Sequence, residues 1–339
     1  MVARNAASGG GIELLESGKT ILRYNYATVE PGEVLKRVSE GNLKYARPRS
    51  DYIHPLFGVD GQELTRDWAV DHPHHRGIYW AWPEVEQTPP AGPVTGGNVS
   101  TNKPVAERGD LHALQRIFAR PTGRVRLNNT ATYAEVEAEN QWYWEERPRS
   151  AVVRELTLIR AYRAENKSRF VDLAFLFTGL EPGVTIARRE TDKYGGLNIR
   201  MATPQSQQII VHSDASDSTP LRAWSDLSGV FQEAGGTGGA AGLLVLQHRS
   251  NPDYPGDWIQ YPELSWCQPT FPSAGERYPL TPGRALVLRY RLWIHGEVSQ
   301  GEIDKIAKGQ WDFYHGSRTI LPQFTLLAPA SNGKAPSKP

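Results

Sequence analysis

Ser168-Arg169-Phe170-Val171-Asp172-Leu173-Ala174-Phe175-Leu176-Phe177-Thr178 is the stretch on which the fold turns. Val171, Leu173, Phe175 and Phe177 alternate onto one face, while Phe170, Ala174 and Leu176 take the other, which predicts a strand apolar on both sides. Such a strand belongs inside a sheet with both faces covered. The run 284–295 alternates too: Leu286, Leu288, Tyr290, Leu292 and Ile294 share a face suited to a core. Val287, Arg289, Arg291, Trp293 and His295 share the other face, suited to a polar cleft or to solvent.

Further strands are expected at 20–28, 111–119, 130–139, 151–163, 207–212 and 241–248, each bounded by Gly, Pro, Asn or Asp. One strong helix is expected over 300–314, where Ser299 and Glu302 have capping-box spacing and Ile303, Ile306, Ala307, Gln310, Trp311 and Tyr314 recur at helical intervals. Long strands with so little helix predict a mostly β protein, a large antiparallel β-sandwich with one C-terminal helix. The expected organisation is a partly ordered N-terminal segment 1–19, a single sandwich domain 20–316, and a disordered C-terminal extension 317–339 whose end is rich in Ala, Pro, Ser and Lys. The Pro- and Gly-rich stretches 83–110 and 249–283 read as long functional excursions, and the Gly-rich 235–242 as a flexible turn.

Composition narrows the function. Lys plus Arg total 38 against 37 for Asp plus Glu, a net charge of +1 that argues against a nucleic-acid partner. The longest apolar runs, such as Leu243-Leu244-Val245-Leu246, fall far short of the roughly 20 residues a membrane helix requires. Cys267 is the only cysteine, which excludes an internal disulfide and a Cys-rich zinc module. The start Met1-Val2-Ala3-Arg4 lacks the apolar core of a secretory signal, so the protein is expected to be cytoplasmic unless a signal was removed, in which case periplasmic or secreted.

The densest chemistry is Asp71-His72-Pro73-His74-His75-Arg76-Gly77, which places three of the nine histidines within four positions. Imidazole exchanges protons near neutral pH and ligates metals. In an extended segment His72 and His74 would point one way and His75 the other. The competing reading is a hydrogen-bonded structural corner, with Asp71 capping amides and Arg76 paired to a carboxylate. A divalent metal on His72 and His74 needs a third ligand that the local spacing does not supply, so no cofactor is expected. Trp68, Tyr79, Trp80 and Trp82 crowd nearby, and the rings of Trp80 and Trp82, on one face of 78–82, suit either a core or the apolar face of a sugar. Glu190-Thr191-Asp192-Lys193-Tyr194-Gly195-Gly196, Trp224-Ser225-Asp226-Leu227-Ser228-Gly229 and His248-Arg249-Ser250-Asn251-Pro252 put polar groups at turns and strand exits, where sites form and where turn chemistry alone also places such residues.

The Asp71-to-Gly77 motif, Tyr194-Gly195-Gly196-Leu197, the Trp224-to-Gly229 segment and the stretch from His248 to Trp258 together resemble the bacterial PmoA-like family over about 20–316. The family's methane-oxygenase label does not suit a chain without a membrane segment. One departure is Gln247, where the family often has an acid. The resemblance implies a large β-sandwich, often secreted, associated with sugar processing. Sandwiches of the aldose mutarotase and polysaccharide lyase type are similar to it, and their logic implies His74 or His75 as the proton-transfer residue, Arg76 as the anion stabiliser, and Asp192 or Asp226 as the acid partner. His72, Trp80, Trp82, Tyr194, His248, Trp258 and His295 are the corresponding candidates for binding substrate. The function so implied is an enzyme on glycosides or oligosaccharides, a hydrolase or a lyase with a carbohydrate as partner. The alternatives are a non-catalytic carbohydrate-binding module and a metal-dependent oxidoreductase with two histidines and an acid on iron.

Overall fold

In the computed structural model, residues 1–88, 106–213, 222–232, 238–316 and 319–327 are described. Among the described residues, strands make up 51% and helix 11%, with no closed barrel. An antiparallel sheet of eight strands runs in the order Gln205–Val211, Trp224–Gln232, Gly238–Gln247, Leu286–His295, Ser168–Gly179, Ala151–Tyr162, Tyr133–Trp144 and Ile117–Asn129. Ser168–Gly179 lies inside it, paired on one edge to Ala151–Tyr162 and on the other to Leu286–His295, with Phe175 opposite both Thr157 and Leu288. A six-stranded sheet is formed by Val2–Asn5, Ile12–Glu16, Lys19–Asn25, Tyr52–Leu56, Ile78–Ala81 and Gly196–Ile199, in that order.

One contiguous cluster of buried side chains fills the space between these sheets. Val171, Leu173, Phe175 and Phe177 of the central strand meet Leu22, Tyr24, Ile53, Ile78 and Trp80 of the smaller sheet. The opposite face of the eight-stranded sheet carries Trp224, Leu244, Leu246 and Trp293, which the helix Gln300–His315 covers with Ile303, Ala307 and Tyr314. The 287–295 face is therefore largely buried beneath a helix instead of forming a polar cleft, because Trp293 and its neighbours supply the apolar stripe that an amphipathic helix needs. Ser299 precedes the helix as expected, but its hydroxyl bonds the Glu302 carboxylate and not a backbone amide.

Three boundaries shift. The strand expected at 111–119 begins at Ile117, since 110–115 is a tight turn closed by Asp110 N to Gln115 O at 2.8 Å. Residues 2–16 already form two strands of the smaller sheet, so the N-terminal segment is part of the sandwich. The extension from 317, expected to be disordered, is held where it is described: the amides of Thr325 and Leu326 donate to Glu137 Oε1 at 2.8 and 2.7 Å, and Arg154 Nη1 donates to Leu327 O at 2.8 Å. Most of the 83–110 excursion, residues 235–237 of the Gly-rich 235–242 turn and the end of the tail lie outside the described residues, while 238–242, expected to be turn, open the strand Gly238–Gln247.

Candidate active site

The smaller sheet places the site. Along Ile78–Ala81, Trp80 points at the eight-stranded sheet, where its ring packs 4.1 Å from that of Phe175 and its indole N–H bonds Glu155. Alternation turns Tyr79 to the other side, and there its hydroxyl meets His112 Nε2 at 3.0 Å. Five chain segments cover this outer face: the short helical turn Glu40–Tyr45, the turn 71–75, the turn 110–115, the segment 189–194, and the hairpin Trp258–Tyr261 with Trp266–Pro269. Between them lies a cavity of about 570 Å³.

His72-Pro73-His74-His75 is a turn, not an extended strand: His72 N donates to Ala69 O at 3.1 Å and His75 N to His72 O at 2.9 Å. The expected split of the rings between two sides therefore fails, and all three converge. His72 stacks on His75 with centroids 4.7 Å apart and planes 11° from parallel, and His74 meets His75 edge-on at 4.4 Å. Gly77 makes this entry geometry feasible: its φ is +60°, and a Cβ there would strike the Ile53 carbonyl oxygen.

A fourth histidine, not singled out from the sequence, completes the floor. His112 lies 5.1 Å from His74 and 5.5 Å from His75, ring centre to ring centre. One ring nitrogen from each of His74, His75 and His112 falls within 4.8 Å of the others. All three side chains are more than nine-tenths buried, and the Nδ1 of each has no hydrogen-bond partner. Burial, aided by the Arg49 guanidinium, holds His74 down to about 3. Burial, and then the neighbouring His74, holds His75 and His112 well below the ordinary imidazole range. The floor therefore presents neutral imidazoles with lone pairs free.

The surroundings hold these rings in place. Arg49 Nη2 donates to the carbonyls of Leu111 and His112 at 3.0 and 2.5 Å, which ties down the turn bearing His112. Asp110 caps Ala113 N at 2.7 Å and pairs with Arg189. Trp266 packs 4.1 Å from His75, and Tyr45 5.1 Å from His74. At the mouth, His72 Nδ1 meets Asp71 Oδ2 at 3.1 Å, and Asp71 in turn pairs with Arg200 at 2.9 Å. Tyr194, Tyr261, Asn42 and Glu263 finish the lining.

Of the residues picked from the sequence, His72, His74, His75 and Tyr194 meet in this cavity, and the rest lie elsewhere. Arg76 turns away: it is fully buried, paired to Asp67, with its guanidinium 3.4 Å from the Trp68 ring centre. The chain leaves the turn at this position, and Arg76 is drawn to the interior by Asp67 and Tyr52. Trp80 and Trp82 belong to the core, Trp82 donating its indole N–H to Phe271 O at 2.8 Å. Asp226 and His295 bond each other at 2.9 Å on the helix-covered side of the large sheet, since they share the alternation of Trp224 and Trp293. His248 stacks on His315 of the helix at 4.9 Å. Trp258 bonds Arg222 O at 2.7 Å, and Asp192 is exposed, its carbonyl held by Arg188 at 2.5 Å. The long 249–283 excursion does reach the site, through Tyr261, Glu263, Leu264 and Trp266. Tyr79 and His112 were missed. Period-2 alternation could have flagged Tyr79 as the residue facing away from Trp80, whereas no local pattern marks His112.

A β-sandwich with a histidine-floored pocket on the outside of its smaller sheet is the class these observations define. The chain belongs to the family of unknown function DUF6807, whose model matches residues 11–308. Nothing in that match ties it to a methane oxygenase. A search of curated proteins finds no match to the chain.

Proposed function

We propose that this pocket is the active site of an enzyme acting on a glycoside or oligosaccharide, by hydrolysis or elimination. The observation that carries the reading is the set of three buried, neutral imidazoles whose unpartnered Nδ1 atoms sit at the floor of a cavity. Unpartnered buried polar atoms cost about 1–3 kcal/mol each, so a fold retains such a set where the groups act on something. Neutral imidazoles present lone pairs, able to accept hydrogen bonds from a substrate or from an attacking water. The rim suits a sugar: Tyr45, Tyr194 and Tyr261 offer flat rings, while Asn42, His72, Arg189 and Glu263 offer donors and acceptors. A volume of about 570 Å³ lies within the range of small-ligand sites. A binding module would use the aromatic rim but has no need of the floor.

The test is a panel of glycosides and oligosaccharides, assayed for new reducing ends and for ultraviolet-absorbing unsaturated products. Product is expected from at least one member. In a folded His75→Ala variant, turnover should fall on the order of a hundredfold or more. Tyr261→Ala, at the rim, should weaken substrate about five- to tenfold with an unchanged melting temperature. Binding without turnover would favour the module; neither binding nor product across the panel overturns the reading.

A further inference from the structure

We propose that His74, His75 and His112 are the protein ligands of a divalent transition-metal ion of the zinc type, held at the pocket floor with one coordination position open to the cavity. The proposal rests on the reading of this pocket as an active site and adds what its floor holds.

Geometry comes first. The donor nitrogens lie within 4.8 Å of one another, and the rings need only close inward on an ion to reach the roughly 2.0–2.1 Å that a zinc–nitrogen bond requires. Three Nδ1 atoms, each buried and each without a partner, are otherwise an unexplained cost repeated in one place. An ion at the floor gives each of the three rings a partner. Neutral imidazole is the ligating form.

The outer contacts are those a ligand histidine uses. Where His112 carries its proton on Nε2, it donates to Tyr79 Oη at 3.0 Å and leaves Nδ1 for the ion. Arg49 fixes the backbone there through the carbonyls of Leu111 and His112. Charge at first argues against a cation, because Arg49, Arg189 and Arg200 are near. Arg189 is neutralised by Asp110 and Arg200 by Asp71, while Arg49 stacks on the Tyr79 ring at 4.3 Å.

Three nitrogen ligands without thiolate or carboxylate suit zinc, and also copper, nickel or ferrous iron. An open fourth position is the mark of a catalytic rather than a structural site. Water bound there would ionise near pH ~7, giving a hydroxide as base or nucleophile, with its proton passed to solvent through the mouth. His72, held by Asp71 at that mouth, stays outside the ligand set.

The experiment strips the protein with chelator and titrates zinc, nickel, cobalt(II), copper and ferrous iron separately by calorimetry, with metal content measured after dialysis. One equivalent of at least one ion is expected, together with a raised melting temperature. His112→Gln should lose affinity by a hundredfold or more, and Tyr79→Phe by about ten- to a hundredfold. His248→Ala, outside the pocket, should bind like the wild type. Should His112→Gln fail to fold, His74→Gln serves, its ring being at the cavity wall. The absence of any ion binding at one equivalent, or binding unchanged in folded ligand variants, overturns the metal. Product formed at full rate by the stripped protein also overturns it and leaves the active-site reading standing. Stoichiometric metal without saccharide binding or product upholds the metal and sinks the saccharide reading.

Discussion

Arg76 sits one position from His75 and has the opposite fate. Its side chain is fully buried, paired with an Asp67 carboxylate that is itself only 14% exposed, hydrogen-bonded to Tyr52 and stacked on Trp68. Removing one member of such a pair leaves the other desolvated and unmatched, which costs far more than an exposed pair contributes. Arg76→Ala should therefore lower unfolding stability by about 3 kcal/mol, measured by urea denaturation, while folded molecules retain metal uptake and substrate binding. A stable variant that loses turnover would return Arg76 to the site. The same residue-scale logic separates the nine histidines: His74, His75 and His112 have free ring nitrogens beside a cavity, whereas His295 is satisfied by Asp226 and the carbonyl of Gly296. Residue type alone does not distinguish these cases; the partners do.

The strand Ile78–Ala81 shows what an element adds. Its alternation was readable, but not which face would meet the core: Trp80 and Trp82 suited a core and a sugar platform equally, and their indoles pack against Phe175, Phe177 and Trp142. Two substitutions separate the faces. Trp80→Phe removes a buried donor to Glu155 and some packing, and should cost about 2 kcal/mol without altering metal affinity. Tyr79→Phe should cost about 1 kcal/mol and weaken metal binding instead. Parallel urea denaturation and calorimetric titrations check both, and the reverse pattern would mean that the strand's faces have been assigned the wrong way round.

Between the two sheets lies a polar seam that affects the whole molecule. Asp51 accepts hydrogen bonds from Tyr24 at 2.6 Å and Asn140 at 2.9 Å, and Glu155 accepts from the indoles of Trp80 and Trp142. Burial, and then the charge of Asp51, raises Glu155 well above the usual carboxylate range; burial raises Asp51 as well. A carboxyl raised in the folded state favours folding while it is protonated. That contribution is complete below the unfolded value of about 4.3 and is lost as pH rises through the folded value. Wild-type stability relative to Glu155→Gln should accordingly fall as pH rises above about 4. Urea midpoints at several pH values measure this, and a difference that does not change with pH would show that Glu155 is not raised in the folded state. Other carboxylates, among them Glu16 held down by Arg169 despite partial burial, act in the opposite direction, which is why the comparison with the variant and not the absolute curve is informative.

The sequence by itself determined the sandwich. Two-residue periodicity is a local property, and a strand apolar on both faces such as 168–178 has few stable places other than inside a covered sheet; the helix over 300–315 was announced by its own spacing. It also marked the His72–His75 run as chemistry, because three imidazoles in four positions are rare for packing alone. Tertiary structure alone decided the third donor. His112 is 37 positions from His75, on a turn carried by a different part of the chain, and it joins the cluster because Arg49 and Tyr79 hold it there. Which ring nitrogens remain free, which arginine turns inward and which tryptophans are core depend on partners distant in sequence, and only the packing of the two sheets brings those partners within reach.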